Sequence, residues 1–456
     1  GKKDVPMIVL WLAIVIIFII VATAKLKWHP FLVLILSAFL VALFYQVPIA
    51  TVPKTIAEGF GNILGYIGLV IVFGTIIGLI LEKTGAAIVM AETVIKLLGE
   101  RFPTLTMSIV GAVVSIPVFC DSGFVILNSL KESLANRLKV SNVAMSVALA
   151  TGLYSTHTFV PPTPGPIAAA GNLGLETNLG LVIGMGLLVS VVAVTAGWLW
   201  SQRFLTAIPE ADNSFMSTDK AAVMQAREQY GELPSATMAF LPIIVPIILI
   251  CLASIAAFPS KPLGSGLLAQ LLGFVGHPLS ALLIGLFLSF LLIKGNNKSQ
   301  LISDSIAAGL TVAAPILLIT GAGGAFGAML KATPVGTYLG ETLSSLGLGI
   351  LMPFIVSAAL KTAQGSTTVA LVTTSALVAP MLGQIGMDSD MGRVLCVMAI
   401  GAGAMTVSHA NDSYFWVVSQ FSRMSVPQAY KAHTVATGIQ GVVSMVFIWL
   451  LSIILL

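Results

Sequence analysis

Residues Tyr154 to Pro166 constrain this chain more than any other stretch. They combine hydroxyls, the imidazole of His157 and four prolines (Pro161, Pro162, Pro164, Pro166) inside an otherwise apolar polypeptide. Each proline removes a backbone donor and clashes with the turn before it, so no continuous helix can run through them. In hydrocarbon, a broken backbone is tolerated only where protein buries it or where it lines a watery cavity. A polar, broken segment at membrane depth reads as a binding site. The alternative is a short extramembrane loop, and the rest of the chain decides between them.

Hydrophobic residues make up 57% of the 456 positions and charged residues only 9%, against about 25% charged in a soluble domain. The fold class is therefore an all-α polytopic membrane protein. A net charge of +4 is too small to point to nucleic acid. Cys120, Cys251 and Cys396 lie in apolar runs without CxxC or Cys/His spacing, as small core residues do. Val5 to Ala24 has the length of a first span and no small-residue cleavage pattern. Further spans or apolar runs are expected at about 31–45, 63–81, 105–119, 143–160 and 180–200, then at 239–257, 279–293 and 311–330, followed by shorter apolar pieces over 350–380 and 394–407 and a last span over 435–455. Ala86 to Leu98, which holds Glu92 and Lys96, reads as an interfacial or partly buried helix.

The charged stretch 203–235 divides the chain. The predicted organisation is a first transmembrane repeat over 1–202, a cytoplasmic linker over 203–235 and a second repeat over 236–456. His29-Pro30 matches His277-Pro278 at an offset of 248. An offset of 249 pairs Gly74 with Gly323, Gly78 with Gly327, Leu81 with Leu330, Thr84 with Thr333, Glu92 with Glu341 and Thr93 with Thr342. Those are six identities in the twenty positions from 74 to 93, where chance would give roughly two. This reads as a duplication. The positive-inside bias fits inverted copies with a cytoplasmic linker, placing Lys25, Lys27, Lys294, Lys298, Arg423 and Lys431 on the linker side; Lys2 and Lys3 count against it.

Polar breaks recur in both halves. The run Asp121-Ser122-Gly123 has a partner region in Gln364 to Thr368, and Thr156-His157 is matched with Ser408-His409, followed by Asn411, Asp412 and Ser413. Two such segments per half predict one re-entrant hairpin and one interrupted helix in each repeat. Broken helices present free N–H groups and a positive dipole end, which favour a carboxylate. Hydroxyls and amides suit a polyhydroxylated ligand, and Lys361 could add a positive charge. Asp121 and Asp412 are the candidates for proton coupling, since an intramembrane carboxylate is expensive to keep without a function; a capped helix end is the plainer alternative for each. His157 and His409 could carry protons or orient their neighbours.

The segments Asp121 to Val125, Thr156 to Pro166, Gly365 to Ala370 and Ser408 to Trp416 resemble the signature segments of the gluconate:proton symporter (gluconate permease) family. The resemblance extends through nearly the whole chain, including His29-Pro30 and Gly321 to Phe326. It implies an inverted-repeat fold of the ion-transporter type and secondary transport of sugar acids or small hydroxy acids. Import would proceed by alternating access and proton symport across a bacterial inner membrane. Three positions depart from the pattern: Asp121 stands where relatives have glutamate, Thr163 where they have histidine, and Lys361 where arginine is common. The expected substrate-binding set is Ser155, Thr156, His157, Thr163, Gly165, Lys361, Gln364, Gly365, Ser366, Thr367, Thr368, Ser408, His409, Asn411, Asp412 and Ser413. Expected partners are a carboxylate substrate, a proton or a sodium ion, membrane lipid and a second copy in a homodimer, with no cofactor and no nucleic acid. A sodium-coupled carboxylate transporter of the same architecture is the alternative. An intramembrane metal-dependent hydrolase using His157, His409 and the two aspartates is a rival of another class, without HExxH or compact ligand spacing.

Overall fold

The computed structural model describes residues 5–211, 230–338 and 345–456. Most of the linker, and the Glu341 and Thr342 members of the repeat pairs, lie outside the described residues. Every regular element among those described is helical. The first half runs α1 (Val5–Ile20), α2 (Pro30–Phe44), α3 (Val52–Lys83), α4 (Ala86–Leu98), α5 (Pro103–Val114), α6 (Cys120–Leu138), α7 (Asn142–Phe159), α8 (Pro164–Asn172) and α9 (Leu179–Ser201). The second runs α10 (Ala236–Ala256), α11 (Leu267–Val275), α12 (Pro278–Phe290), α13 (Lys298–Lys331), α14 (Leu351–Gln364), α15 (Thr367–Val378), α16 (Asp390–Ala404), α17 (Ser413–Phe421), α18 (Val426–Ala429) and α19 (Val435–Leu455). Seven helices among the described residues are long and apolar enough to cross a membrane, or eight if the bent pair α11 and α12 is one span.

Helix positions follow the apolar runs, with one systematic difference. The spans read at 63–81 and 311–330 are the apolar cores of α3 and α13, which continue over 32 and 34 residues. Their polar first turns carry Lys54 and Glu58, and Lys298 and Asp304, and a helix that emerges from the membrane needs no apolar sequence there.

The duplication is visible in the packing. His29 and His277 each cap the following helix, Nδ1 accepting from Phe31 N and from Leu279 N, both at 3.2 Å. Proline at the first helical position follows in both copies, where its missing N–H costs nothing. Helices α5 and α6 form the hairpin of the first half, and α14 and α15 that of the second. Each hairpin packs on the broken helix of its own half, α5 on α7 and α14 on α16. The second arm of each hairpin meets the far piece of the other half's broken helix: α6 touches α17, and α15 touches α8. Likewise α2 packs on α13 while α12 packs on α3, and α3 and α13 pack on each other. This exchange of partners is what a two-fold relation between repeats requires.

Small residues let the hairpins approach the broken helices closely. A side chain at Gly111 of α5 would come within 2.7 Å of Leu149 O in α7, and one at Gly403 of α16 within 2.9 Å of Ala358 N in α14. The second hairpin turns at Gly365, with φ +92° and its Cα against the Asn411 backbone, a conformation glycine adopts without steric cost. Lys294 lies 3.8 Å from Glu232, and Ala211 N donates to Arg423 O at 2.9 Å, so both cations sit beside the linker.

Candidate functional site

The two hairpin tips and the break between α16 and α17 enclose a cavity of about 490 Å³. Phe119, Cys120, Asp121 and Ser122 line it from the first hairpin, Tyr154 and His157 from α7, Gln364 to Thr368 from the second hairpin, and Asn411 to Tyr414 from the break. Three helices begin at its wall: α6 at Cys120, α15 at Thr367 and α17 at Ser413. Ser366 caps α15 by accepting from Val369 N at 3.2 Å, and Asp412 caps α17 by accepting from Tyr414 N at 3.1 Å. Phe119 has no side-chain acceptor to cap α6. The positive ends of three helices therefore converge on one space.

Lys361 and Asp412 form the electrostatic centre. Their side chains are 0% and 9% exposed, and Lys361 Nζ donates to Asp412 Oδ2 at 2.8 Å. The ammonium also donates to Gly365 O at 2.7 Å and Thr367 Oγ1 at 3.0 Å, which fills its three donor positions. Tyr154 OH meets Thr367 Oγ1 at 2.8 Å, and the Tyr154 ring lies 5.7 Å from the ammonium. Burial of this pair is stable only because hydrogen bonds satisfy the remaining donors and acceptors. Lys361 thus stands one side chain behind the wall, and its partners Asp412, Gly365 and Thr367 face the cavity. The first half presents Asp121, whose Oδ2 accepts from Ser413 Oγ at 2.8 Å across the α6–α17 contact.

The structure gathers ten of the expected residues around this space: Asp121, His157, Gln364, Gly365, Ser366, Thr367, Thr368, Asn411, Asp412 and Ser413. Seven others lie elsewhere. Lys361 and Ser408 are buried behind Asp412, Ser408 Oγ donating to Asp412 Oδ2 at 2.6 Å. Ser155 Oγ accepts from Gln440 Nε2 at 2.9 Å, and Thr156 Oγ1 donates to Ala112 O at 2.7 Å. Thr163 is buried and donates to Val160 O at 2.6 Å, within its own turn. Gly165 packs against Leu371. His409 bonds Thr362 O at 2.7 Å, outside the lining. The proline cluster is a break in a buried helix, not a wall of the cavity.

The matching of the two histidines also needs correction. His157 lies in the last turn of α7, whereas His409 lies in the loop between α16 and α17. The equivalent positions are Thr163 and Asp412, 249 apart, each immediately before the far piece of a broken helix. Lys361 corresponds at the same offset to Ala112. The ion pair therefore has no counterpart in the first half.

Sequence reasoning passed over His433 and Gln440. His433 Nε2 lies 2.9 Å from Ser408 Oγ. Gln440 Nε2 donates to Thr151 O, Ser155 Oγ and Ala193 O, joining α19 to α7 and α9. Their signal was an amide and an imidazole in the last apolar span and the turn before it. Among the described residues, no group of three or more His, Cys, Asp or Glu is placed to hold a metal ion.

Known proteins share this arrangement of sequence and fold. The profile described as GntP family permease matches residues 7–454. A gluconate permease of Pseudomonas aeruginosa is 33% identical over 448 residues, 97% of each chain. The inner membrane permease YgbN of Escherichia coli is 31% identical over 450 residues, 95% of this chain and 96% of that one. The D-serine transporter DsdX of Escherichia coli is 32% identical over 447 residues, 97% and 98% of the two chains. In three dimensions, the YdaH transporter of Alcanivorax borkumensis superposes with a TM-score of 0.65 at 14% identity, over 93% of this chain and 98% of that one. These relatives are permeases and transporters, not hydrolases. With its duplicated helical fold and its profile match from residue 7 to residue 454, this chain belongs to the GntP family of permeases.

Proposed function

We propose that this protein is a secondary active transporter of the bacterial inner membrane that imports a gluconate-like sugar acid, or a related small hydroxy acid, by proton symport with alternating access. The observation that carries the reading is the convergence of three helix N-termini on a cavity lined by hydroxyls and amides. Helix ends attract the carboxylate. Ser366, Thr367, Thr368, Asn411 and Ser413, with the Gln364 amide, offer donors and acceptors to the hydroxyls. Relatives named for gluconate and for D-serine share a small hydroxylated carboxylate as cargo, which supports this substrate class. In this reading residues 1–202 and 236–456 are the inverted repeats, 203–235 is the cytoplasmic linker, and Asp121 and Asp412 take the coupling proton between them.

Proteoliposomes with an imposed pH gradient test the proposal. Radiolabelled gluconate should accumulate saturably and show counterflow, and a six-carbon polyol should compete at least about tenfold less well. A polyol that competes as well as the acid would remove the anion site. D-Serine as a second competitor reports whether the pocket takes hydroxy amino acids, and a sodium gradient replacing the proton gradient reports the coupling ion.

A further inference from the structure

A buried chain of hydrogen bonds leads away from the cavity. It runs from Asp412 Oδ2 to Ser408 Oγ at 2.6 Å and on to His433 Nε2 at 2.9 Å. Ser408 has one hydroxyl hydrogen, and Asp412 receives it. The Nε2 contact must then be a donation from His433, which fixes the imidazole as the Nε2–H tautomer and leaves Nδ1 a bare acceptor. His433 is buried, and Nδ1 has no hydrogen-bond partner. A buried imidazole nitrogen without a partner is expensive to leave unsatisfied.

Aromatic and apolar side chains surround the ring. His433 lies in the turn Tyr430–Thr434 that leads into α19. Tyr414 of α17 packs edge-on against its ring at 5.3 Å, with Phe415 at 6.2 Å. Val143, Ala144 and Val147 of α7, with Trp200 of α9 and Phe204 just beyond it, belong to the apolar cluster that includes Ala432 of the same turn. The charged groups acting on it are Asp412 and Lys361. On its own turn, Lys431 is exposed, and Tyr430 OH is engaged as acceptor for Ala410 N at 3.3 Å.

We propose that His433 Nδ1 is a proton-binding site that feeds Asp412 through Ser408. The inference rests on the symport reading above. A proton arriving at Nδ1 allows Nε2–H to pass to Ser408 Oγ while the Ser408 hydroxyl hydrogen passes to Asp412 Oδ2. His433 ends neutral as the Nδ1–H tautomer, Ser408 is regenerated, and Asp412 is a carboxylic acid, so charge and protons balance. Neutralising Asp412 releases Lys361 from its ion pair and leaves the ammonium with Gly365 O and Thr367 Oγ1 only. One positive charge then stands behind the cavity wall without a counter-ion, where an incoming carboxylate supplies it. Loading a proton and binding an anion become one favourable event, which is the thermodynamic content of symport.

The experiment uses the full chain in proteoliposomes. His433→Gln keeps an amide donor for Ser408 but cannot take up a proton. It should retain gluconate counterflow while losing about tenfold or more of the accumulation driven by a pH gradient. Ser408→Ala keeps His433 and cuts the chain, and it should uncouple in the same way. In weakly buffered detergent solution, gluconate binding should draw about one proton from the medium in the unmodified protein and none in either variant. Proton uptake or accumulation that persists in either variant would overturn the relay while leaving symport intact. An unmodified protein with no pH-driven accumulation would remove the symport reading and the relay together.

Discussion

The α6–α17 contact and the α8–α15 contact are one joint built twice, and they are packed differently. On the second, every residue of α8 from Pro164 to Gly171 is buried, as is every residue of α15 from Val369 to Val378. Asn172 Nδ2 ties the two together, donating to Ser375 Oγ at 2.9 Å and to Val372 O at 3.3 Å. On the first, Val125 of α6 is 41% exposed and Trp416 of α17 is 38% exposed, and Ser413 and Gln420 are also exposed. The near ends of α6 and α17 line the cavity, and α8 contributes nothing to it. At its far end α17 runs on to Arg423, beside the linker. In the alternating-access cycle proposed above, a duplicated joint that is tight on one side and loose on the other would correspond to one end state.

The largest expected effect comes from removing the charge that the two joints share through the cavity. Lys361→Met leaves Asp412 buried without its cation, a change that costs about 3–5 kcal/mol. Gluconate uptake should fall on the order of 100-fold and the unfolding temperature should drop. Adding Asp412→Asn should restore stability without restoring uptake. A single variant that transports normally would make the ion pair irrelevant to both joints.

A smaller loss is expected on the loose side. Asp121 contributes a carboxylate to the cavity and joins α6 to α17 through Ser413. Asp121→Asn should lower pH-driven accumulation about tenfold while gluconate affinity, measured by calorimetry, stays within about threefold. Unchanged pH dependence of uptake would take Asp121 out of coupling.

The smallest effect probes the tight side. Asn172→Ala removes the hydrogen bonds between α8 and α15, worth about 1 kcal/mol, and should shift the balance of states about fivefold. The readout is a Thr368→Cys thiol in a background without Cys120, Cys251 and Cys396, with reagent added from the side opposite the linker. Faster labelling is expected, and no change would show that this joint is not the seal.

Much of this architecture was legible in the chain. The prolines from 161 to 166 break a helix where expected, Gly365 turns a hairpin, and the two His-Pro pairs open equivalent helices with the same cap. What could not be read was the direction of side chains. Thr163 sits at a break, but it is buried and its hydroxyl donates back into the turn it ends, at Val160 O, away from the cavity. Lys361 looked like a cation free for substrate, whereas a residue 51 positions later neutralises it. His433 showed only as an imidazole in the turn before the last apolar span; its partner could not be read, because Ser408 lies across a helix break and spacing along one helix says nothing about such contacts.

The ion pair between Lys361 and Asp412 has a final consequence, because Ala112 and Thr163 hold the equivalent places. In the proposed cycle, two identical inverted copies would give a carrier whose two end states are related by a two-fold rotation and equal in energy, each filled half the time. Placing both charges in one copy lifts that degeneracy. In the proposed cycle the unloaded molecule would then have a preferred facing, set by which joint the charged copy closes, and cargo and proton would act by cancelling the preference. The asymmetry of a duplicated sequence is, on this view, the origin of direction in a machine built from symmetric parts.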